Sequence, residues 1–404
     1  MKRARLAAAV LLLALLLCAA GRPARAGEPV PGTVTESIAP GVAYRTFPLA
    51  TAHGSVRVHQ LTADLSHPGV RAGLLYPGAV AERSPVSAMA ARQGAVAAVN
   101  GDFFNITEEQ HPGVQATGAA SGASVLDGQA LKGAVPVGQR YGWALPPGAD
   151  GTEVLGVGVD GRARTGRLTL RGSLVTPHAT LPLGGLNQYA LPVGSVGLFT
   201  ERWGSVSRAR AACGTDSRRG APCTTDVYEV TVRNGRVEHT ANTPGSGPVP
   251  AGSLVLLGRE AGARALRALT SRTAAEVSYA LASDKGAAFA FALGAYPLLR
   301  SGLPVPGLDA TAKEPRTGAG IAQDGRLLHL VATDGREGTS TGLTVTELAA
   351  LLRSLGCEEA AYLDGGASTT LVTRDPTTGA TTVRNTLDQG LERRVPNGIA
   401  LYAN

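Results

Sequence analysis

The chain has 404 residues, 44% of them hydrophobic and only 17% charged, with 53 glycines and 25 prolines. This composition supports a folded, turn-rich protein with a large core and excludes an intrinsically disordered one. Lys and Arg number 38 against 31 Asp and Glu, but five of the cations (Lys2, Arg3, Arg5, Arg22 and Arg25) precede Gly27, where no acid occurs, so the rest is nearly neutral and lacks the electrostatic footprint of a nucleic-acid binder.

The first residues read as an export signal. Lys2, Arg3 and Arg5 form a basic start and 6–20 is an apolar run, shorter than the roughly 20 residues of a membrane-spanning helix. Ala24-Arg25-Ala26 then places small residues at the two positions a signal peptidase reads. Cleavage after Ala26 is expected, giving a secreted protein of residues 27–404 without stable membrane insertion. Cys18 follows bulky Leu17, which does not suit lipoprotein processing.

The elements follow in chain order. Alternation over 55–61 and the apolar 70–76 predict strands, 85–93 a short helix, and 95–99 a fully apolar strand. The stretch 121–139 reads as loop. Residues 154–159, 167–170, 227–232 and 254–257 read as short strands joined by turns such as Asp160-Gly161 and Asn234-Gly235. The region 151–286 is therefore expected to form a β-rich insertion or subdomain, with a short helix at 261–269, between a first part (27–150) and a last part (287–404) of one larger domain. Strands are expected at 287–293, 327–333, 360–363, 369–373 and 398–402. Thr344 with Glu347 makes a capping box, and Leu348, Leu351, Leu352 and Leu355 recur at helical spacing before Gly356. The fold class is α+β, with mixed sheets and a few packed helices.

Of the cysteines after residue 26, Cys213 and Cys223 bracket a short polar segment and suit a disulfide in an oxidising compartment. Cys357, at the end of the 344–355 helix, reads as a buried free thiol. Gly156, Gly158 and Gly161 satisfy G-x-G-x-x-G, but strand-like residues follow where a dinucleotide site needs a helix. The seven histidines have no zinc-ligand spacing.

Five segments place polar residues at the ends of apolar strands: Asn100-Gly101-Asp102-Phe103-Phe104, Leu293-Gly294, Arg316-Thr317-Gly318-Ala319-Gly320, Asp334-Gly335-Arg336 with Ser340-Thr341-Gly342, and Leu363-Asp364-Gly365-Gly366-Ala367-Ser368-Thr369. Each alone is an ordinary glycine turn. Together with Glu392 to Asn397, in this order and around the capped helix, they resemble the phosphodiester glycosidase family over roughly 41–145 and 287–402. Three small-for-small departures occur: Ala295, Gly318 and Ala367 stand where the family pattern has Gly, Ala and Gly.

The resemblance implies hydrolysis of a glycosyl phosphodiester, such as an N-acetylglucosamine-1-phosphodiester or a cell-envelope sugar-phosphate. Splitting such a bond requires carboxylates near the anomeric carbon and cations or backbone N–H groups for the phosphate. Asp364 leads the catalytic candidates, and Asp334 and Asp102 compete for the second carboxylate role. Arg316 leads as phosphate clamp. Asn100, Ser368 and Thr369 are candidates for substrate hydrogen bonds, and Gly365 and Gly366 for close backbone approach. Arg336 and Arg393 either contact substrate or pair the aspartates, and Phe103 and Phe104 read as core beneath the site. Carboxylates without histidine favour calcium or magnesium, but no spacing matches a calcium loop, so no cofactor is assigned. The alternative is a non-catalytic cell-surface module that binds glycan or polysaccharide-phosphate.

Overall fold

The computed structural model describes residues 32–404 except 337 and 339; the expected export signal and its cleavage site lie outside the described residues. Strands dominate: the described residues form twenty-four, against three α-helices. The helical part of the α+β expectation is thus small, and most of the chain is sheet.

Two sheets and two helices build the body that carries the sequence motifs other than Leu293-Gly294. An eight-stranded antiparallel sheet runs in the order Val34–Ala39, Val42–Thr51, Gly54–Asp64, Leu327–Thr333, Thr317–Ala322, Glu359–Tyr362, Tyr296–Arg300 and Leu303–Pro304. A five-stranded antiparallel sheet runs Thr381–Val383, Leu371–Arg374, Ala97–Asn100, Gly398–Ala403, Val70–Leu75. Period-2 alternation explains their stacking. Val99, Leu371, Ile399 and Leu401 meet Leu61, Leu330 and Ala361 of the larger sheet in one core. Ala98, Val372 and Ala400 turn the other way, onto Val86, Met89 and Ala90 of the helix Val86–Gln93.

The opposite face of the larger sheet receives the helix Val345–Ser354, started by the expected capping box between Thr344 and Glu347. Leu348, Leu351 and Leu352 pack there with Val331, Ala360 and Cys357. A Cβ on Gly320 would stand 2.3 Å from the Cys357 sulfur, and one on Gly318 about 3.2 Å from Leu352. The glycines of Arg316-Thr317-Gly318-Ala319-Gly320 therefore serve the seating of this helix.

The third sheet, eleven-stranded and mixed by virtue of one parallel pair, Thr180–Leu186 with Val196–Phe199, holds the strands of the middle region. It also takes in Phe289–Gly294 and a hairpin, Ser124–Leu126 with Gln129–Lys132. That hairpin corrects the expectation of loop across 121–139. Its turn residue Asp127 takes a positive φ of 49° beside Gly128, and its strands are only three and four residues long. Cys213 and Cys223 are disulfide-bonded, and Cys357 is a buried thiol, as expected. Burial pushes that thiol up to about 12, which removes it from nucleophilic chemistry. Among the described residues no helix is long and apolar enough to cross a membrane.

Candidate functional site

Antiparallel pairing puts the motifs at one end of the body. Arg316 precedes the strand Thr317–Ala322, Asp334 follows its neighbour Leu327–Thr333, and Asp364 follows Glu359–Tyr362 on its other side. Asn100, last residue of its strand in the smaller sheet, ties that end together. Its Nδ2 donates to the Asp364 carbonyl (2.6 Å), and its Oδ1 accepts from the Thr317 hydroxyl (2.8 Å) and the Thr370 amide (3.0 Å). Asn100 is fully buried and joins four segments from beneath the turn, outside the lining of the adjacent cavity.

A cavity of about 230 Å³ opens beside this joint, lined by Phe103, Trp143, Glu314, Arg316, Arg336, Tyr362, Asp364, Gly365, Gly366, Ala367 and Arg393. Six of the eleven candidate residues meet in it: Asp364, Arg316, Arg336, Arg393, Gly365 and Gly366. Larger depressions exist elsewhere, such as one of about 330 Å³, but Glu153 there pairs with Arg167, and Glu359 is held by Thr165 and the Ser301 amide.

Asp364 is half-buried. Burial pushes its carboxyl up to about 7, against the Ser368 hydroxyl and the Arg393 charge, which pull it down; the nearby Asp102 charge adds to the rise. Arg393 donates through Nη1 to the Ser368 hydroxyl (3.2 Å). Asp364, Ser368 and Arg393 thus form one contiguous polar group on the cavity wall.

Arg316 is fully buried. Its Nε donates to Leu343 O (2.8 Å), Nη1 to the Tyr362 hydroxyl (2.7 Å) and Nη2 to Ala312 O (2.5 Å). Three of its five N–H donors are engaged, and the guanidinium faces the Trp143 ring at 5.6 Å. Arg336, with φ 61°, binds Glu314 (2.5 Å) and Asp388 (3.2 Å) at the rim.

In the glycine turn, the Gly366 amide donates to Pro315 O, that of Ser368 to Gly365 O and that of Thr369 to Gly366 O. These three N–H groups are engaged by the backbone, and the Gly365 amide bonds the Asp364 carboxylate. The left-handed position falls on Gly366 (φ 59°), and Ala367 lies within the 3₁₀ turn, so the alanine departure from the family pattern is accommodated. Ser368 and Thr369 are buried just under the turn.

The other two aspartates face elsewhere. Asp102 is buried, takes the Gly122 amide on Oδ2 (2.5 Å), and has Arg140 Nη2 3.8 Å from Oδ1. Burial raises its carboxyl, opposed by Arg140, the Gly122 amide and Lys132. Asp334 accepts from the Thr386 amide (2.8 Å) and hydroxyl (3.0 Å) and contacts His59 Nε2 at 3.2 Å. Burial raises its carboxyl, but the bonds from His59 and Thr386 prevail and hold it below the usual range. Neither residue lines the cavity.

Glu314 and Trp143 do line it, and neither stands out in the sequence. Glu314 lies two residues before Arg316, a proximity that could have drawn attention to it; Trp143 sits in a loop with no motif around it. Phe103 packs edge-on between Tyr296 (4.8 Å) and Tyr362 (5.4 Å), forming the cavity floor, whereas Phe104 belongs to the core under the helix Val86–Gln93. His111, Cys213 and Cys223 lie within 4.8 Å of one another, but the two sulfurs are bonded to each other, so the trio is not a metal centre.

Residues 226–402 match the family model described as phosphodiester glycosidase, in agreement with the resemblance drawn from the motifs. The match takes in the strand-end motifs from Leu293-Gly294 onward and begins inside the middle region; Asn100 to Phe104 lie outside it. A 131-residue stretch, 31% of the chain, is 30% identical to the SPbeta prophage-derived protein YomE of Bacillus subtilis strain 168 and spans 19% of that protein. A Synechocystis protein of known structure aligns over 93% of this chain and 64% of its own, with TM-score 0.71 and 20% identity. The chain therefore spans less than two thirds of the length of either. A protein of Burkholderia pseudomallei K96243 named as exported aligns over 87% of this chain and 75% of its own, with TM-score 0.66 and 26% identity.

Proposed function

We propose that this chain, whose residues 226–402 match the phosphodiester glycosidase family, is a secreted hydrolase that cleaves a glycosyl phosphodiester, with Asp364 as the proton donor. The observation that carries the proposal is the raised Asp364 carboxyl in a small cavity whose cations are arginines. Acid catalysis is most effective when the donor's pKa lies near the working pH, and a carboxyl at about 7 meets that condition.

In the reaction proposed, the bond between the anomeric carbon and the bridging phosphate oxygen breaks, and Asp364 delivers its proton to that oxygen. Water supplies the hydroxyl that ends on the sugar, and its remaining proton returns the Asp364 carboxyl to its acid form. Glu314, the other carboxylate on the cavity wall, completes the pair that glycosyl cleavage requires. Arg393, beside Ser368, meets the phosphate directly, with Arg336 at the rim. Arg316 supports the site from below. Asp102 acts through its charge on Asp364, and Asp334 by holding Thr386. A disulfide and an exported structural relative support an extracytoplasmic setting.

The test is sugar release from an N-acetylglucosamine-1-phosphodiester by purified residues 27–404, with and without chelator, beside Asp364→Asn. Release by the wild type and its loss in the variant supports the assignment. A folded wild-type protein that binds glycan phosphate without releasing sugar would overturn it in favour of a surface-binding module.

A further inference from the structure

The arginine-lined cavity adjoins a second hollow of about 130 Å³ whose walls include Trp143, Pro146, Tyr296, Leu308, Val345 and Tyr362. Trp143 and Tyr362 line both. Trp143 is 43% exposed, so its indole stands as a lip between the two spaces that is itself open to solvent.

The two spaces differ in chemistry. The first presents Asp364, Glu314 and arginines. The second presents mainly rings and aliphatic chains, and several of the polar atoms at its edge are already engaged. The Tyr296 hydroxyl donates to Tyr141 O (2.9 Å), and the Tyr362 hydroxyl accepts from Arg316 (2.7 Å). The Asp309 carboxylate takes the Thr311 and Ala312 amides and the Thr311 hydroxyl. A phosphate or sugar ring entering this hollow would exchange full hydration for walls of rings and aliphatic chains. Among the described residues, only the Trp143 indole N–H and the Tyr362 O–H are side-chain donors there without an acceptor, so the exchange is unfavourable for a group with many polar atoms. An alkyl or aryl group loses only contact with water. Apolar cavities of about 150 Å³ take up benzene-sized molecules, so the space suits a short chain or one ring.

We propose that the hollow behind Trp143 is a subsite for an apolar group esterified to the substrate phosphate, so that the preferred substrates are glycosyl phosphodiesters with an alkyl or aryl leaving side. The proposal rests on the glycosyl phosphodiester function above. With the phosphate held among the arginines, its ester substituent either points to solvent or crosses Trp143 into the hollow. Only the second path buries apolar surface, and each buried methylene strengthens binding by about fourfold.

The experiment compares N-acetylglucosamine-1-phosphate esters bearing methyl, butyl or hexyl groups. KM should fall at least tenfold from methyl to hexyl while kcat stays nearly constant, and Leu308→Trp, which fills the hollow, should collapse the methyl-to-hexyl ratio towards one. Equal KM across the series, with KM instead responding to replacement of N-acetylglucosamine by glucose, would overturn the subsite and give the hollow to the sugar's acetamido group. If no ester releases sugar, the hydrolase proposal fails, and the subsite is still decided by binding. Trp203 is fully buried and Trp143 is the other tryptophan, so fluorescence reports on the lip. Hexyl phosphate should shift the emission where inorganic phosphate does not, and an identical response to both would refute the subsite.

Discussion

A carboxyl pushed up to about 7 is still half protonated at neutral pH, and at Asp364 the cause is burial, which disfavours the charged form. If its proton is the one transferred, kcat/KM should decline above about pH 7, roughly tenfold per unit once the group has ionised. Asp364→Asn should lower the rate by about 10²–10⁴ and remove that limb, which a pH–rate profile would reveal. The same shift has a consequence for stability. A folded pKa raised above its unfolded value means the folded state binds the extra proton between about pH 4 and 7. Its contribution is fully present below about pH 4 and is lost as pH rises through 7, leaving the ionised group strained. Asp364→Asn should therefore stabilise the protein at pH 8 by on the order of 2 kcal/mol, discounting for the exposed edge of the site, and by almost nothing at pH 4. Thermal melts of both proteins at the two pH values would check this, and a variant less stable at pH 8 would contradict it.

At the level of elements, the site depends on how strand ends are joined. Asn100 bonds the Asp364 carbonyl, the Thr317 hydroxyl and the Thr370 amide, so one side chain fixes the smaller sheet to two segments flanking the Asp364 turn and to the strand that follows Arg316. Asn100→Ala leaves three buried groups without partners at about 1–3 kcal/mol each before relaxation. We expect a loss of about 3 kcal/mol in a denaturant titration, together with lower activity, because the Asp364 turn loses its tether. The helix Val345–Ser354 offers a contrast. Its Thr344 cap also binds Glu347, and Glu347 in turn meets His53 (3.0 Å). Thr344→Ala should cost about 1 kcal/mol with little change in activity, since the helix packs on the sheet face away from the smaller sheet. Elements with strong local signals, this helix and the apolar strand Ala97–Asn100 among them, are recoverable from sequence. Thr180–Leu186 is not. Its residues TLPLGGL contain a proline and two glycines that hide the alternation, and only pairing with Ala163–Val175 and Val196–Phe199 makes them a strand.

Across the whole molecule, the sequence motifs do converge, because antiparallel pairing carries Arg316, Asp334 and Asp364 to one end of one sheet. What sequence cannot supply is direction. Asp102 turns toward Gly122 and Arg140, and Asp334 toward Thr386 and His59, because each is claimed by a partner distant in the chain. Glu314 and Trp143 reach the cavity from loops whose course is fixed by tertiary contacts. The arginines divide in the same way between architecture and contact. Arg316 is sealed among Leu343 O, Ala312 O and the Tyr362 hydroxyl, linking the segment before one strand, the segment before the helix and the central strand Glu359–Tyr362. Arg393 touches Ser368 at the cavity wall and is half-buried. Removing the first leaves Ala312 O and the Tyr362 hydroxyl without their donor, while Leu343 O keeps the Glu314 amide, so Arg316→Ala should destabilise by about 2–4 kcal/mol. Removing the second forfeits the proposed charge-assisted contact with the phosphate, about 1.5–3 kcal/mol, so Arg393→Ala should raise KM by about 10- to 100-fold while the melting temperature moves little. Paired denaturation and kinetic measurements separate the two roles, and an Arg316→Ala protein of wild-type stability with KM raised like that of Arg393→Ala would make Arg316 the phosphate contact instead.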